Sequence, residues 1–315
     1  MNKKHINAQL CRKFDEFVSS IENEEIKKII EDGTIITGGA LVSLLSNEQP
    51  HDYDIYFKDF KTCFKVAEYF VNKFNGAKKI KKAELKIQTG IEGFTQDKKW
   101  IDFKTALKQV TDNKEPRIKV FISSSGVAGD EEVLEDEEMQ TNIEPNTDIK
   151  KELEEKPKYE PKFLTSNAIS LSGKIQLVIR FYGEPDKLHE NYDFVHCTNY
   201  WTSWERKVTL KQEALEAIIN KELLYVGSIY PLCSIIRTRK FIKRGWTINA
   251  GQYLKMAMQL NDLNLKNVQV LEDQLVGVDS GYFQMLIDAL QKKKEEDPSF
   301  EVNNTYVAAI VDKIF

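Results

Sequence analysis

The stretch from Thr34 to Phe57 constrains this chain more than any other, because its residues alternate between strand chemistry and turn chemistry over very short distances. Thr34-Ile35-Ile36 is a β-branched run that reads as a strand, Gly38-Gly39 breaks it, and Ala40-Leu41-Val42-Ser43-Leu44-Leu45 reads as a helix. Asn47 to Pro50 then supplies a second turn, and Asp52-Tyr53-Asp54-Ile55-Tyr56-Phe57 has the composition of another strand. The chain must therefore pass from strand to helix at a glycine pair and return as a strand. Residues without Cβ let main chain approach an anion closely, and the N-terminus of the following helix favours negative charge. Successive odd or even positions on a strand face one way, so Asp52 and Asp54 present both carboxylates to one side, roughly 7 Å apart. Two hard oxygen ligands on one face suit Mg²⁺, which completes its shell with water and substrate phosphates.

Gly38, Gly39, Pro50, Asp52 and Asp54 follow one another in a glycine pair, short helix, proline and Asp-x-Asp pattern. In this the segment resembles the signature of the DNA polymerase β nucleotidyltransferase superfamily, most of all the head domain of bacterial poly(A) polymerases and CCA-adding enzymes. The chain departs from that pattern at Val42-Ser43, where the family often carries Arg-Asp. The superfamily uses a third carboxylate on a neighbouring strand between apolar residues, and two positions fit: Asp193 in Tyr-Asp-Phe-Val and Asp102 in Trp-Ile-Asp-Phe. Asp193 is preferred because it follows the strand candidate Ile175 to Phe181, which can place it in the central sheet beside Asp54.

A second constellation lies at Ile235 to Ala250, where Arg237, Arg239, Lys240, Lys243 and Arg244 crowd together. Arg offers a planar fork for phosphate oxygens, so this run is read as an anion-neutralising element. Its end, Lys243-Arg244-Gly245-Trp246-Thr247-Ile248-Asn249-Ala250, is similar to an Arg-Arg-Asp-Phe-Thr-Ile-Asn-Ala element of the same enzymes, with Gly245 and Trp246 departing. The resemblance implies a nucleotide held by Gly38, Gly39, Ser43, Arg237, Arg244 and Asn249, with two Mg²⁺ ions, or Mn²⁺ in their place, on Asp52, Asp54 and Asp193. It implies transfer of a nucleoside monophosphate from an NTP to an acceptor hydroxyl, with an RNA or tRNA 3′ end favoured and pyrophosphate released. A protein or small-molecule acceptor, cyclic nucleotide synthesis, and a non-catalytic nucleotide- or RNA-binding module stand as alternatives. The base-selecting Glu-Asp-x-x-Arg of the family has no counterpart, since Leu271-Glu272-Asp273-Gln274-Leu275-Val276 lacks the arginine. Tyr192 to Cys197 together with Tyr230-Pro231-Leu232-Cys233 is similar to phage-encoded nucleotidyltransferases.

The rest of the chain predicts an α+β fold in which a mixed sheet flanked by helices is followed by a mostly helical region. Residues 1–205 are expected to form the catalytic domain and 206–315 a helical domain. Asp59 to Phe74 has helical apolar spacing; Glu84 to Gln88, Trp100 to Phe103 and Ile118 to Ser123 read as strands, as do Ala168 to Leu171 and Tyr192 to Cys197. At 315 residues and 41% hydrophobic content the chain can bury a core of that size. The net charge of -4 hides an acidic run, Asp130 to Glu138, within a polar stretch at about 129–161 that is read as a flexible insertion able to dock a protein partner. Cys11, Cys63, Cys197 and Cys233 have no paired spacing, which argues against a disulfide framework or zinc site. With no apolar run long enough to span a bilayer, a cytoplasmic protein without membrane association is expected, in the host cytoplasm if phage-encoded. His51 and His196 are assigned structural roles.

Overall fold

The computed structural model describes residues 2–77, 83–89, 99–112, 114–122 and 159–265, together with 270, 274, 295–297 and 299. The acidic insertion and the segment around Leu271 lie outside the described residues apart from those few positions. The fold is α+β, with a mixed sheet covered by helices. Two helices open it, α1 (Lys3–Ser19) and α2 (Glu24–Gly33), followed by β1 (Thr34–Thr37), α3 (Gly39–Leu45), β2 (Tyr53–Phe57) and α4 (Phe60–Ala77). Next come β3 (Ala83–Gln88), β4 (Trp100–Ile101), α5 (Phe103–Thr111) and β5 (Arg117–Ile122), then β6 (Pro161–Leu164), β7 (Ala168–Leu171) and β8 (Ile175–Tyr182). After α6 (Pro185–His189) and a 3-10 turn (Val195–Cys197) the chain adds β9 (Tyr200–Thr202), β10 (Lys207–Thr209), α7 (Gln212–Asn220), α8 (Pro231–Lys243) and α9 (Ala250–Asn261). Among the described residues, no helix is long and apolar enough to cross a membrane.

The main sheet has seven strands in the order β10-β9-β1-β2-β8-β7-β6, and β3 lies between β4 and β5 in a separate three-stranded sheet. Within the main sheet only β2 and β8 run parallel, with Asp54 opposite Gln176 and Ile55 opposite Leu177. The two-residue period of the strands divides the core. Ile36, Ile55 and Phe57 join a large cluster with Phe14 and Phe17 of α1, Ile30 of α2 and Phe60 and Phe70 of α4. Ile35 and Tyr56 point the other way into a small cluster with Leu188 of α6, flanked by Tyr192 and Tyr200. Asp54 precedes Tyr56 by two residues and so lies on this thinly covered face.

Two strand expectations are corrected. Trp100 to Phe103 is strand only as far as Ile101, because Asp102 accepts from the Thr105 amide at 3.0 Å and from its hydroxyl, which starts α5 at Phe103. Tyr192 to Cys197 is not a strand of the sheet: Phe194 makes an isolated bridge to Tyr225, and Val195 to Cys197 close a 3-10 turn. The apolar residues that suggested a strand are buried by packing, with Phe194 against Tyr225 and Phe241.

Candidate functional site

The candidate site lies where β1 ends and β2 begins, near Asp193, which pairs with Arg237 of α8, and Glu48, which pairs with Arg244 just beyond that helix. Gly38 follows Thr37 with φ of 82°, the left-handed conformation that allows the chain to reverse into α3 without a Cβ penalty. A Cβ at this position would stand 3.5 Å from the Tyr192 hydroxyl and 3.6 Å from Oδ2 of Asp54, so the turn is tucked directly against the carboxylate. The Gly38 amide donates to the Cys197 carbonyl at 3.2 Å, which pins the turn to the chain just beyond Asp193. Space is open around Gly39, while Ser43 is buried on the inner side of α3. Below the turn, Thr37 Oγ1 lies 3.0 Å from Nε2 of His189 and donates to the Asn199 carbonyl. Lys211 in turn meets both Asp186 and Nδ1 of the same histidine.

Asp52 is exposed and Asp54 is partly buried. Burial pushes the Asp54 carboxyl up to about 7, the Asp52 charge adds to this, and Arg237 opposes it. Two carboxylates with too little counter-charge form a place where a hard cation gains on binding, and this donor set fits one such ion. Among the described residues no group of three or more His, Cys, Asp or Glu side chains is arranged around one point.

Asp193 is brought to the same cleft by a route the sequence did not suggest. It stands outside the sheet, is 6% exposed, and its Oδ2 accepts from Nη1 of Arg237 at 2.7 Å. Burial works against the Arg237 charge, yet Asp193 outweighs it and holds the guanidinium above its ordinary range. Two tyrosines close the inner wall. Burial raises the Tyr56 and Tyr192 phenols, and Asp54 contributes in the same direction to both, so they line the cleft as neutral groups. Neighbouring His196 is fully buried among Phe194, Phe241 and Trp246, with its ring centroid 4.4 Å from that of Trp246. Neither of its ring nitrogens has a hydrogen-bond partner, and burial lowers it to about 4. It is a core histidine, as the sequence suggested, and His51 is exposed at the entrance.

The remaining sequence candidates are dispersed. Arg244 pairs with Glu48 in the turn that leads to Asp52. Asn249 caps α9 by accepting from the Gln252 amide and donates to Glu222. Asp102 is exposed at the start of α5, committed to its capping bonds. Tyr192, Tyr56 and Glu48 escaped the sequence reading; only the two-residue spacing of Tyr56 from Asp54 could have flagged one of them.

Residues 9–221 match the family model described as Gabija anti-defense 2 family protein. A curated relative, "Gabija anti-defense 2" of Bacillus phage SPbetaL7, is 21% identical over 126 residues, covering 39% of this chain. The match spans 31% of that relative's length. No solved structure matches the chain. These findings correct the membership inferred from Gly38 to Asp54: the family they show is Gabija anti-defense 2, and they lend no support to the polymerase β nucleotidyltransferase superfamily or to transfer to RNA ends with RNA or tRNA as partner. The physical reason is that a glycine turn and an Asp-x-Asp strand specify a local strand-helix-strand geometry, which unrelated families can share.

Proposed function

Because the chain belongs to the Gabija anti-defense 2 family, we propose that it counters Gabija defence in the cytoplasm of a phage-infected cell and does so as an enzyme. Its working part is the cleft of Asp52, Asp54, Asp193 and Arg237. The observation that carries this reading is that the Gly38 turn abuts Asp54 and is hydrogen-bonded to Cys197, a few residues beyond Asp193, which pairs with Arg237 of α8. We read a partly buried Asp54 next to an exposed Asp52, with the buried Asp193 paired to Arg237, as a functional arrangement rather than a purely structural one. Such groups are costly to bury unless they bind something.

Asp52 and Asp54 are the residues that would hold a divalent cation, with Mg²⁺ the ion best suited to two carboxylates plus substrate oxygens. A bound cation there would polarise a substrate oxygen and neutralise developing negative charge. The chain's own residues do the rest. Gly38 leaves the space above Asp54 free of side chain, Tyr56 and Tyr192 exclude water from the inner wall, and Arg237 supplies a planar donor fork. A substrate presenting phosphate oxygens matches this donor set, and the macromolecule carrying it belongs to the Gabija system or is used by it.

The test is protection of phage in Gabija-bearing cells that express wild-type protein, Asp54→Asn or Asp52→Asn. Loss of protection at unchanged protein level is expected for both variants. Full protection by a double Asp52→Asn, Asp54→Asn variant would overturn the enzymatic reading and leave binding alone as the mode of action.

A further inference from the structure

We propose that His189 is a positioning residue of this site: as a ring protonated on Nε2 alone, it donates to Thr37 and so holds the Gly38 turn against Asp54. The inference rests on the reading of that turn and its acids as the working site, and it names a residue outside them. His189 ends α6 and is buried, with its ring edge-on to Tyr192 at 5.0 Å and tilted against Tyr200 at 5.7 Å. Its Nε2 lies 3.0 Å from Oγ1 of Thr37, the last residue of β1, and its Nδ1 lies 3.3 Å from Nζ of Lys211.

Each neighbour fixes one ring nitrogen. Oγ1 of Thr37 faces two carbonyl oxygens, that of Asn199 at 2.9 Å and that of Cys197 at 3.3 Å, and it has a single proton to give. That proton serves the carbonyls, so Nε2 must bring its own. The Lys211 ammonium carries only donors, so Nδ1 must be bare to receive one. Two unrelated contacts therefore require the same tautomer. Burial lowers the ring to about 4, Lys211 adds to this and Asp186 opposes it, which keeps a second proton off. The donated bond lands at the base of the turn. Next in the chain is Gly38, whose amide donates to the same Cys197 carbonyl at 3.2 Å. A Cβ on Gly38 would stand 3.5 Å from the Tyr192 hydroxyl and 3.6 Å from Oδ2 of Asp54, so small movements of this turn are felt at the carboxylate. A threonine hydroxyl that accepts on one side and donates on the other has one orientation, and β1 then delivers the turn in one place.

The first readout needs no substrate and no variant. Side-chain nitrogen NMR of the full chain near neutral pH should show His189 protonated on Nε2 and bare on Nδ1; a ring protonated on Nδ1, or on both nitrogens, overturns the proposal. The second compares His189→Leu with His189→Gln. Leucine leaves no orphaned donor, since Thr37 keeps a carbonyl and Lys211 keeps Asp186, while the glutamine amide can stand in for the Nε2 donor. His189→Leu should exchange the Gly38 amide at least about fivefold faster than wild type and lose protection of phage at unchanged protein level. His189→Gln should stay within about twofold of wild type in exchange and keep protection. Unchanged Gly38 exchange in His189→Leu, full protection by His189→Leu, or a His189→Gln variant as impaired as His189→Leu overturns the proposal. If His189→Leu does not fold, the wild-type tautomer and the behaviour of His189→Gln decide. Failure of the enzymatic reading is seen separately, as protection by the Asp52→Asn, Asp54→Asn double variant, and leaves the tautomer and exchange results to judge the hold of His189 on the turn.

Discussion

Replacing Asp54 by Asn should make the protein more stable above neutral pH while abolishing the proposed activity. Its carboxyl stands at about 7 in the folded chain against 3.8 for the ordinary group, chiefly because it is buried. A group whose folded value is raised contributes stability that is complete below the unfolded value and is lost as pH rises through the folded one. For Asp54 the loss runs between about pH 4 and about pH 7 and is complete above that window. Three pKa units correspond to about 4 kcal/mol, and solvent at the mouth of the cleft screens this to about 2 kcal/mol. Asn copies the shape of the protonated acid and has no charge to bury. In EDTA, thermal melts of wild type and Asp54→Asn should coincide at about pH 3.5 and separate progressively toward about pH 8, with the variant higher there by about 4–8 °C. A variant that melts lower than wild type at high pH, or a gap independent of pH, would refute the reasoning.

Three further outcomes are expected. His196 is lowered by burial to about 4 from 6.5, so the stability of its neutral form is present above 6.5 and is lost as pH falls from there toward 4. His196→Leu should flatten that acid limb by up to about 3 kcal/mol, and an unaltered acid midpoint would count against it. Gly38→Ala should cost about 1–2 kcal/mol in urea denaturation, since φ of 82° is strained for alanine although the space for its methyl exists. Asp102→Ala should lose about 1 kcal/mol from the cap of α5 and leave Mn²⁺ affinity untouched; weakened Mn²⁺ binding would return Asp102 to the site.

Much of the fold was legible wherever period and punctuation agreed. The strand, glycine turn, helix and strand of residues 34–57 are present as β1, α3 and β2, and the hairpin of β7 and β8 turns at Ser172-Gly173-Lys174. What the sequence could not show is which long-range partner takes an apolar run. Tyr192 to Cys197 has strand composition, yet its backbone bonds to Leu224 and its Phe194 ring packs on α8, so tertiary packing overrode propensity. The pairing of Asp193 with Arg237 spans 44 positions and leaves no local trace. The basic run was read as free for phosphate, but two of its arginines are held by Asp193 and Glu48. Family membership was illegible for a related reason: the chemistry-bearing residues occupy a short motif, whereas the match to the Gabija anti-defense 2 family extends over residues 9–221.

The parallel pairing of β2 with β8 sets the order in which the protein can be assembled. Asp54 and its register partner Gln176 are 122 positions apart, and Arg237 follows Asp54 by 183. Closing so long a loop is slow, so the floor of the cleft forms after much of the chain has been synthesised. Until α8 leaves the ribosome, Asp54 and Asp193 have no arginine to answer them. A nascent chain released early would hold an unbalanced acidic pocket and an incomplete entrance, and it would be recognised by cellular proteases sooner than the finished protein. Synthesis of α8, well after β2 and β8 have emerged, is thus the step that supplies Asp193 with its counter-charge.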